Sequence, residues 1–234
     1  MLRELSAEEI RVLGCLVEKE ATTPDNYPLS SNALVNACNQ STSRDPVVSY
    51  SERQIDQVML TLRDEGLART VRGDGQRVHK HKHVLNEAWR LSRAELAVLC
   101  VLMLRGPQTV NELRTRTERF DLGSESDTIE RTLGALAARD EPFVRLLERR
   151  SGEREARWIH LVGGEAMADD QAAASSSGDD VHARPGTRSR EVAGGVDTAA
   201  NVAMVAEVAV LTERLDALGR RFDALLERLG ETID

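Results

Sequence analysis

Aromatic residues make up only 3% of this 234-residue chain: three Phe, two Tyr and two Trp. Such a chain has little with which to build a base-stacking surface for single-stranded nucleic acid. Cysteine is equally sparse. Cys15, Cys38 and Cys100 are odd in number, far apart and without a C-x-x-C spacing, which excludes a disulfide framework or zinc knuckle and fits a reducing, cytoplasmic compartment. The longest apolar run, "LAVLCVLML" from Leu96 to Leu104, is too short to cross a bilayer, so no membrane partner is expected. The opening "MLRELSAEEI" lacks the basic and apolar blocks of a secretory leader. There is no G-x-x-x-x-G-K-[ST] loop, no H-E-x-x-H and no G-x-S-x-G. The "SRD" segment (Ser43, Arg44, Asp45) has no histidine near it in sequence to activate a hydroxyl. A non-enzymatic protein without a cofactor is the expectation.

The formal net charge of -8 is unevenly spread. Residues 1–90 carry 12 basic and 13 acidic side chains, 91–164 carry 12 of each, and 165–234 carry 7 and 14. The acidity belongs to the tail. A near-neutral body can hold nucleic acid only where its basic residues cluster.

A repeat organises the chain. "LSAEEIRVLGCLVEKE" from Leu5 and "LSRAELAVLCVLMLRG" from Leu91 align without a gap, each with Ser (Ser6, Ser92) three residues before Glu (Glu9, Glu95), the spacing of a helix-capping box. In the first copy a short helix follows from Leu29 to Cys38. A longer one runs from Ser51 to Gly66, with Ile55, Val58, Met59 and Leu62 on one stripe. The second copy gives "TVNELRTRT" and then a helix in which Ile129, Leu133 and Leu136 match Ile55, Met59 and Leu62. Each long helix is followed by a ribbon pattern with a Gly turn, at Asp74-Gly75 and Ser151-Gly152. Three helices and a hairpin, twice, predict a mainly α chain with small β-hairpins (α+β): two tandem winged helix-turn-helix domains over 1–90 and 91–163.

From Gly164 the composition turns to Ala, Ser, Gly and Asp, which predicts a disordered linker over 164–200. Over 201–231, Met204, Val208, Leu211, Leu215, Leu218, Phe222, Leu225 and Leu229 alternate three and four residues apart, the seam of a coiled-coil helix. Homodimerisation through that seam is expected, with packing on the chain's own helices as the alternative.

"NYPLSSNALVNACNQSTSRDPVVSYSE", the repeated "LSxxE" helix starts, "LRGPQTVNELRTRTER" and the ribbon end "KHKH" resemble the YceH-like family of bacterial proteins. The resemblance covers about residues 3 to 163 and the coiled-coil end. It implies a pair of winged-helix domains and carries no established activity. Two positions depart from the family pattern: Ser41 stands where the family has lysine, and His81 where the ribbon has tyrosine.

Two partner classes stay open, duplex DNA and a protein. For DNA, the third helix of copy one offers Arg53, Gln54 and Gln57, the preceding loop Asn39, Gln40, Ser43 and Arg44, and the ribbon Lys80 and Lys82. Glu52 and Asp56 on the same helix oppose it. The third helix of copy two opens on Glu125, Asp127 and Glu130 and makes a poorer reader. His79, His81 and His83 alternate along the ribbon and give a weak metal alternative. Aligned with copy two, His81 meets Trp158, which cannot ligate, so His81 is expected to pack as an aromatic, and only His83 recurs, as His160.

Overall fold

The computed structural model describes residues 3–72, 79–120, 126–149 and 153–174. In copy one, α1 (Ala7–Thr22) leads through a 3-10 turn (Pro24–Asn26) to a two-residue strand β1 (Leu29–Ser30), α2 (Ser31–Cys38) and α3 (Glu52–Asp64). An antiparallel ribbon of β2 (Ala68–Val71) and β3 (Lys80–His83) and a single helical turn, α4 (Leu85–Ala88), close the copy. Copy two repeats the order with α5 (Arg93–Arg105), α6 (Val110–Thr117), a 3-10 turn (Glu118–Phe120), α7 (Ser126–Ala137), β4 (Val144–Leu146) and β5 (Trp158–His160). The Asp74-Gly75 and Ser151-Gly152 turns lie outside the described residues.

Local chemistry sets the helix starts. Ser6 with Glu9, Ser92 with Glu95, Ser51 with Gln54 and Thr109 with Glu112 all close reciprocal capping boxes, satisfying N–H groups that a helix start leaves unpaired. The first sheet has a third strand, and an isolated bridge stands at the corresponding place beside the second. Leu29 pairs with His81 and Ser30 with Lys80 in copy one, and Gln108 exchanges both backbone hydrogen bonds with Trp158 in copy two.

One hydrophobic core runs through both copies. Every residue of α5 from Leu96 to Leu104 is buried, because α1 covers one side while α6, α7 and β5 cover the rest. The helices α1 and α5 approach closely at Gly14, where a Cβ would stand 2.9 Å from the Leu104 side chain. Cys100 Sγ donates to Gly14 O at 3.2 Å across the same contact. All three cysteines are free and buried.

One expectation is corrected. The stretch read as the start of a disordered linker forms α8 (Gly164–Ala174). Its composition holds little apolar area, but Ala168 is buried, and Arg145 of β4 reaches both Glu165 and Asp169 (2.6 Å to the latter). The rest of the expected linker and the whole heptad segment, residues 175–234, lie outside the described residues. Among the described residues no helix is long and apolar enough to cross a membrane.

Candidate functional site

The ribbon strand β3 alternates as its sequence predicts: Lys80 and Lys82 are half-buried on one face, and His81 and His83 are buried on the other. His81 joins three elements. Its Nε2 lies 3.1 Å from Ser31 Oγ at the start of α2, its Nδ1 lies 3.2 Å from Thr70 Oγ1 on β2, and Ser31 Oγ donates to Asp56 Oδ1 of α3 at 2.8 Å. The Asp56 carboxylate can only accept, so the consistent arrangement has His81 Nε2–H donating to Ser31 and Thr70 donating to Nδ1. In that tautomer the histidine cannot take a proton from the serine, so the group is a clip and not a nucleophile–base pair. Burial lowers the His81 pKa, which keeps the ring neutral at pH 7.

His83 is committed as well. Its Nε2 meets Glu20 Oε2 at 2.7 Å, its Nδ1 accepts from the Leu85 N–H at 3.3 Å, and its own N–H donates to Tyr27 Oη at 2.9 Å. Hydrogen bonding to His83 first, and its charge after that, lower the Glu20 carboxyl. These bonds leave His81 and His83 no free lone pair for a metal. His79 is exposed beside the Arg72 guanidinium, at 3.2 Å. The aromatic-stand-in reading of His81 needs amendment, because the ring is held by three polar neighbours as well as by packing.

Of the DNA-contact candidates on α3, Arg53 and Gln57 are exposed and face out. Gln54 is exposed too, but its Oε1 accepts from the Ser51 N–H at 2.9 Å and from Ser51 Oγ at 2.8 Å, so the side chain serves the helix start. Asn39 makes a two-way bridge to the Tyr50 backbone, donating from Nδ2 and accepting at Oδ1, both at 2.8 Å. That bridge closes the loop between α2 and α3.

Arg44 is corrected outright. Its side chain is 0% exposed and donates to both Glu18 oxygens, at 2.5 and 3.2 Å, to Ala37 O at 3.0 Å and to Gln40 Oε1 at 2.9 Å. No phosphate or base reaches it while this network stands, and the Gln40 oxygen is occupied with it. Ser43 is half-buried, and its Oγ accepts from Arg105 Nη2 of α5 at 2.5 Å.

The network that claims these residues escaped sequence reading. Glu18 is 2% exposed and also receives Arg119 at 2.6 Å from the 3-10 turn of copy two. Buried Arg11 donates to Cys38 O at 3.2 Å and Pro46 O at 2.5 Å. The available signal was two charges, Arg11 and Glu18, set within the buried span of α1, where a charge persists only if paired. Among the described residues no group of three His, Cys, Asp or Glu side chains is placed to hold a metal.

A family model described as "Protein of unknown function, DUF480" matches residues 5–153, a span that runs through both copies. Among curated bacterial proteins, the chain is 49% identical over 170 residues to a UPF0502 protein of Solibacter usitatus, covering 73% of this chain and 81% of that protein. It is 52% identical over 161 residues to one of Opitutus terrae, covering 68% and 70%. With one of Citrifermentans bemidjiense the identity is 50% over 169 residues, covering 72% and 78%.

Proposed function

The chain belongs to the DUF480 family, whose curated bacterial relatives carry the name UPF0502 and whose description states no activity; on that premise we propose that it is a non-enzymatic, cytoplasmic tandem winged-helix protein that contacts duplex DNA through its first copy. In this reading α3 enters the major groove and the β2–β3 ribbon is the wing. The observation that carries it is the outward presentation of Arg53 and Gln57 on α3 together with Lys80 and Lys82 on β3, none of which closes a salt bridge among the described residues. The Ser31–His81 clip, with Ser31 also donating to Asp56, ties β3 to α2 and α3 and so fixes the ribbon relative to the helix. Lysines suit phosphates, while Arg and Gln suit base edges.

The test is a titration with duplex DNA over a range of salt. Binding at low salt with a negative log-salt slope is expected, and Lys80→Ala with Lys82→Ala should flatten that slope by about two. Affinity that stays immeasurable at low salt, or that ignores salt, overturns the reading.

A second reading, a protein-interaction scaffold, draws on the same surface. Glu52 and Asp56 share the exposed helix, and Val47 and Leu60 are 60% and 44% exposed, which suits a protein partner better than a duplex. Self-association is assigned to the heptads from Met204 to Leu229. Truncation before Val202 should then reduce the solution mass to that of a monomer, and an unchanged mass rejects it.

A further inference from the structure

A guanidinium on the seam between the two copies has no carboxylate. Arg105, the last residue of α5, donates to Ser43 Oγ, while its Nε is sealed from solvent without a partner. It closes no salt bridge among the described residues. The charges around it are mostly of its own sign: Arg116 on α6, Arg119 on the following turn, and Arg44. Burial first, and then the Arg116 and Arg119 charges, hold the Arg105 pKa below its ordinary value. Among the described residues the one acid whose charge favours the Arg105 cation is Glu18, and it is already engaged. Glu18 carries Arg44 on both oxygens and Arg119 on one, and Glu112 carries Arg116 at 3.6 Å and Arg157 at 2.8 Å. A positive charge half out of water with like neighbours is unfavourable unless an anion completes it.

The partner of Arg105 is also unusual. Ser43 sits at φ 61, in the left-handed region that a residue with a Cβ rarely adopts. Arg44, committed to Glu18, and the Asp45–Leu104 hydrogen bond follow it along the loop and tie the loop to α1 and α5. Strained backbone that its surroundings over-determine is a recurrent feature of ligand clamps. Here it sets a hydroxyl against a guanidinium, with the exposed Ser41 and Thr42 hydroxyls on the same loop. Guanidinium and hydroxyl donors beside a carboxylate that is already committed elsewhere suit a tetrahedral oxyanion, which accepts charged N–H and O–H bonds.

We propose that Arg105 and the Ser43 hydroxyl, flanked by Arg116 and Arg119, form a phosphate-binding site on the seam between the two copies. The phosphate is either a diester of a duplex backbone or a free or small-molecule phosphate, since both present the same oxygens. The site does not depend on the DNA reading. If the ligand is a duplex, it extends the contact surface of copy one onto copy two.

Calorimetric titration of the full chain at low salt tests it with two probes, inorganic pyrophosphate and a short DNA duplex. At least one probe should bind, with Arg105→Gln weakening it about tenfold or more, the loss of a charged hydrogen bond. Ser43→Ala should weaken it less, and Lys80→Ala with Lys82→Ala should leave pyrophosphate unaffected. Should Arg105→Gln fail to fold, Arg116→Gln, on a part-exposed helix face, reports in its place. Pyrophosphate binding that Arg105→Gln abolishes, in a protein that takes no duplex, supports the seam site and sinks the DNA reading. Duplex binding that survives Arg105→Gln but not the double lysine change does the reverse. Neither probe binding overturns both.

Discussion

Arg44 and Glu18, 26 residues apart in the chain, form a two-armed ion pair at 2.5 and 3.2 Å, with side chains 0% and 2% exposed. The pair fastens the loop between α2 and α3 to the back of α1, and Arg119 adds the second copy to the same carboxylate. Burial alone would raise the Glu18 carboxyl, but its hydrogen bonds to Arg44 and the charges of Arg44 and Arg119 take it below the usual range.

Removing one partner therefore costs more than the pair contributes. Arg44→Ala leaves the Glu18 carboxylate buried with Arg119 and, at 3.9 Å, Lys19, and a loss of about 3–5 kcal/mol in unfolding free energy is expected. Arg44→Met with Glu18→Leu, which removes both charges, should recover much of it. Urea denaturation of the single and double variants measures both. A single variant within about 1 kcal/mol of the parent would show that the pair does not hold the loop.

What the sequence made legible is what local spacing encodes. The Ser6–Glu9 and Ser92–Glu95 boxes, the Ile55–Met59–Leu62 stripe and the alternation of "KHKH" are all set by residues a few positions apart, and the structure has each of them. Arg44 was misread because an arginine in a polar loop looks the same whether it faces a phosphate or a carboxylate from a distant helix. Gln54 carries a second role that local spacing also encodes: with Ser51 three residues before it, its Oε1 closes the capping box. The helix α8 was missed because its contacts, buried Ala168 and the pairs of Glu165 and Asp169 with Arg145, are tertiary and composition cannot register them.

His160 sets a pH limit. Both ring nitrogens are buried without a partner, and burial takes its pKa from 6.5 to about 4. Above 6.5 neither state binds the proton. Between 6.5 and about 4 only the unfolded chain does, so stability falls with pH across that window, by ~3 kcal/mol in all. Glu18 acts lower, its contribution being lost as pH falls through its depressed folded value, below 4.5. His160→Phe should flatten the upper part of a stability-versus-pH curve and leave the lower part. A parent curve that is level between pH 6.5 and 5 would refute the assignment.

Gly14 sits where α1 packs closely on α5. A Cβ there would meet Leu104 at 2.9 Å, from a helix interior where glycine otherwise has a lower propensity than alanine. Gly14→Val adds two further methyls to a packed contact and should lower stability by about 1–3 kcal/mol. The double variant with Leu104→Ala should cost less than the sum of the two single changes. Additive costs would mean that Gly14 is not needed for the packing of α1 on α5.

The Ser31–His81 clip is the joint on which the α3 and ribbon surface depends. Ser31→Ala removes the hydroxyl that accepts from His81 Nε2 and donates to Asp56. Asp56 is exposed and finds water, whereas His81 is 6% exposed and is left with a buried donor unpaired. A loss of about 1–3 kcal/mol is expected from that orphaned group. In a His81→Phe background the same serine change orphans nothing and should cost no more than about 0.5 kcal/mol, a coupling that a double-mutant cycle in urea reads directly. If DNA is held by this surface, Ser31→Ala should also weaken binding without changing the log-salt slope, because no phosphate contact is lost while α3 and the lysines come out of register. Equal cost of Ser31→Ala in both backgrounds would show that the hydrogen bond between Ser31 and His81 does not join the two elements.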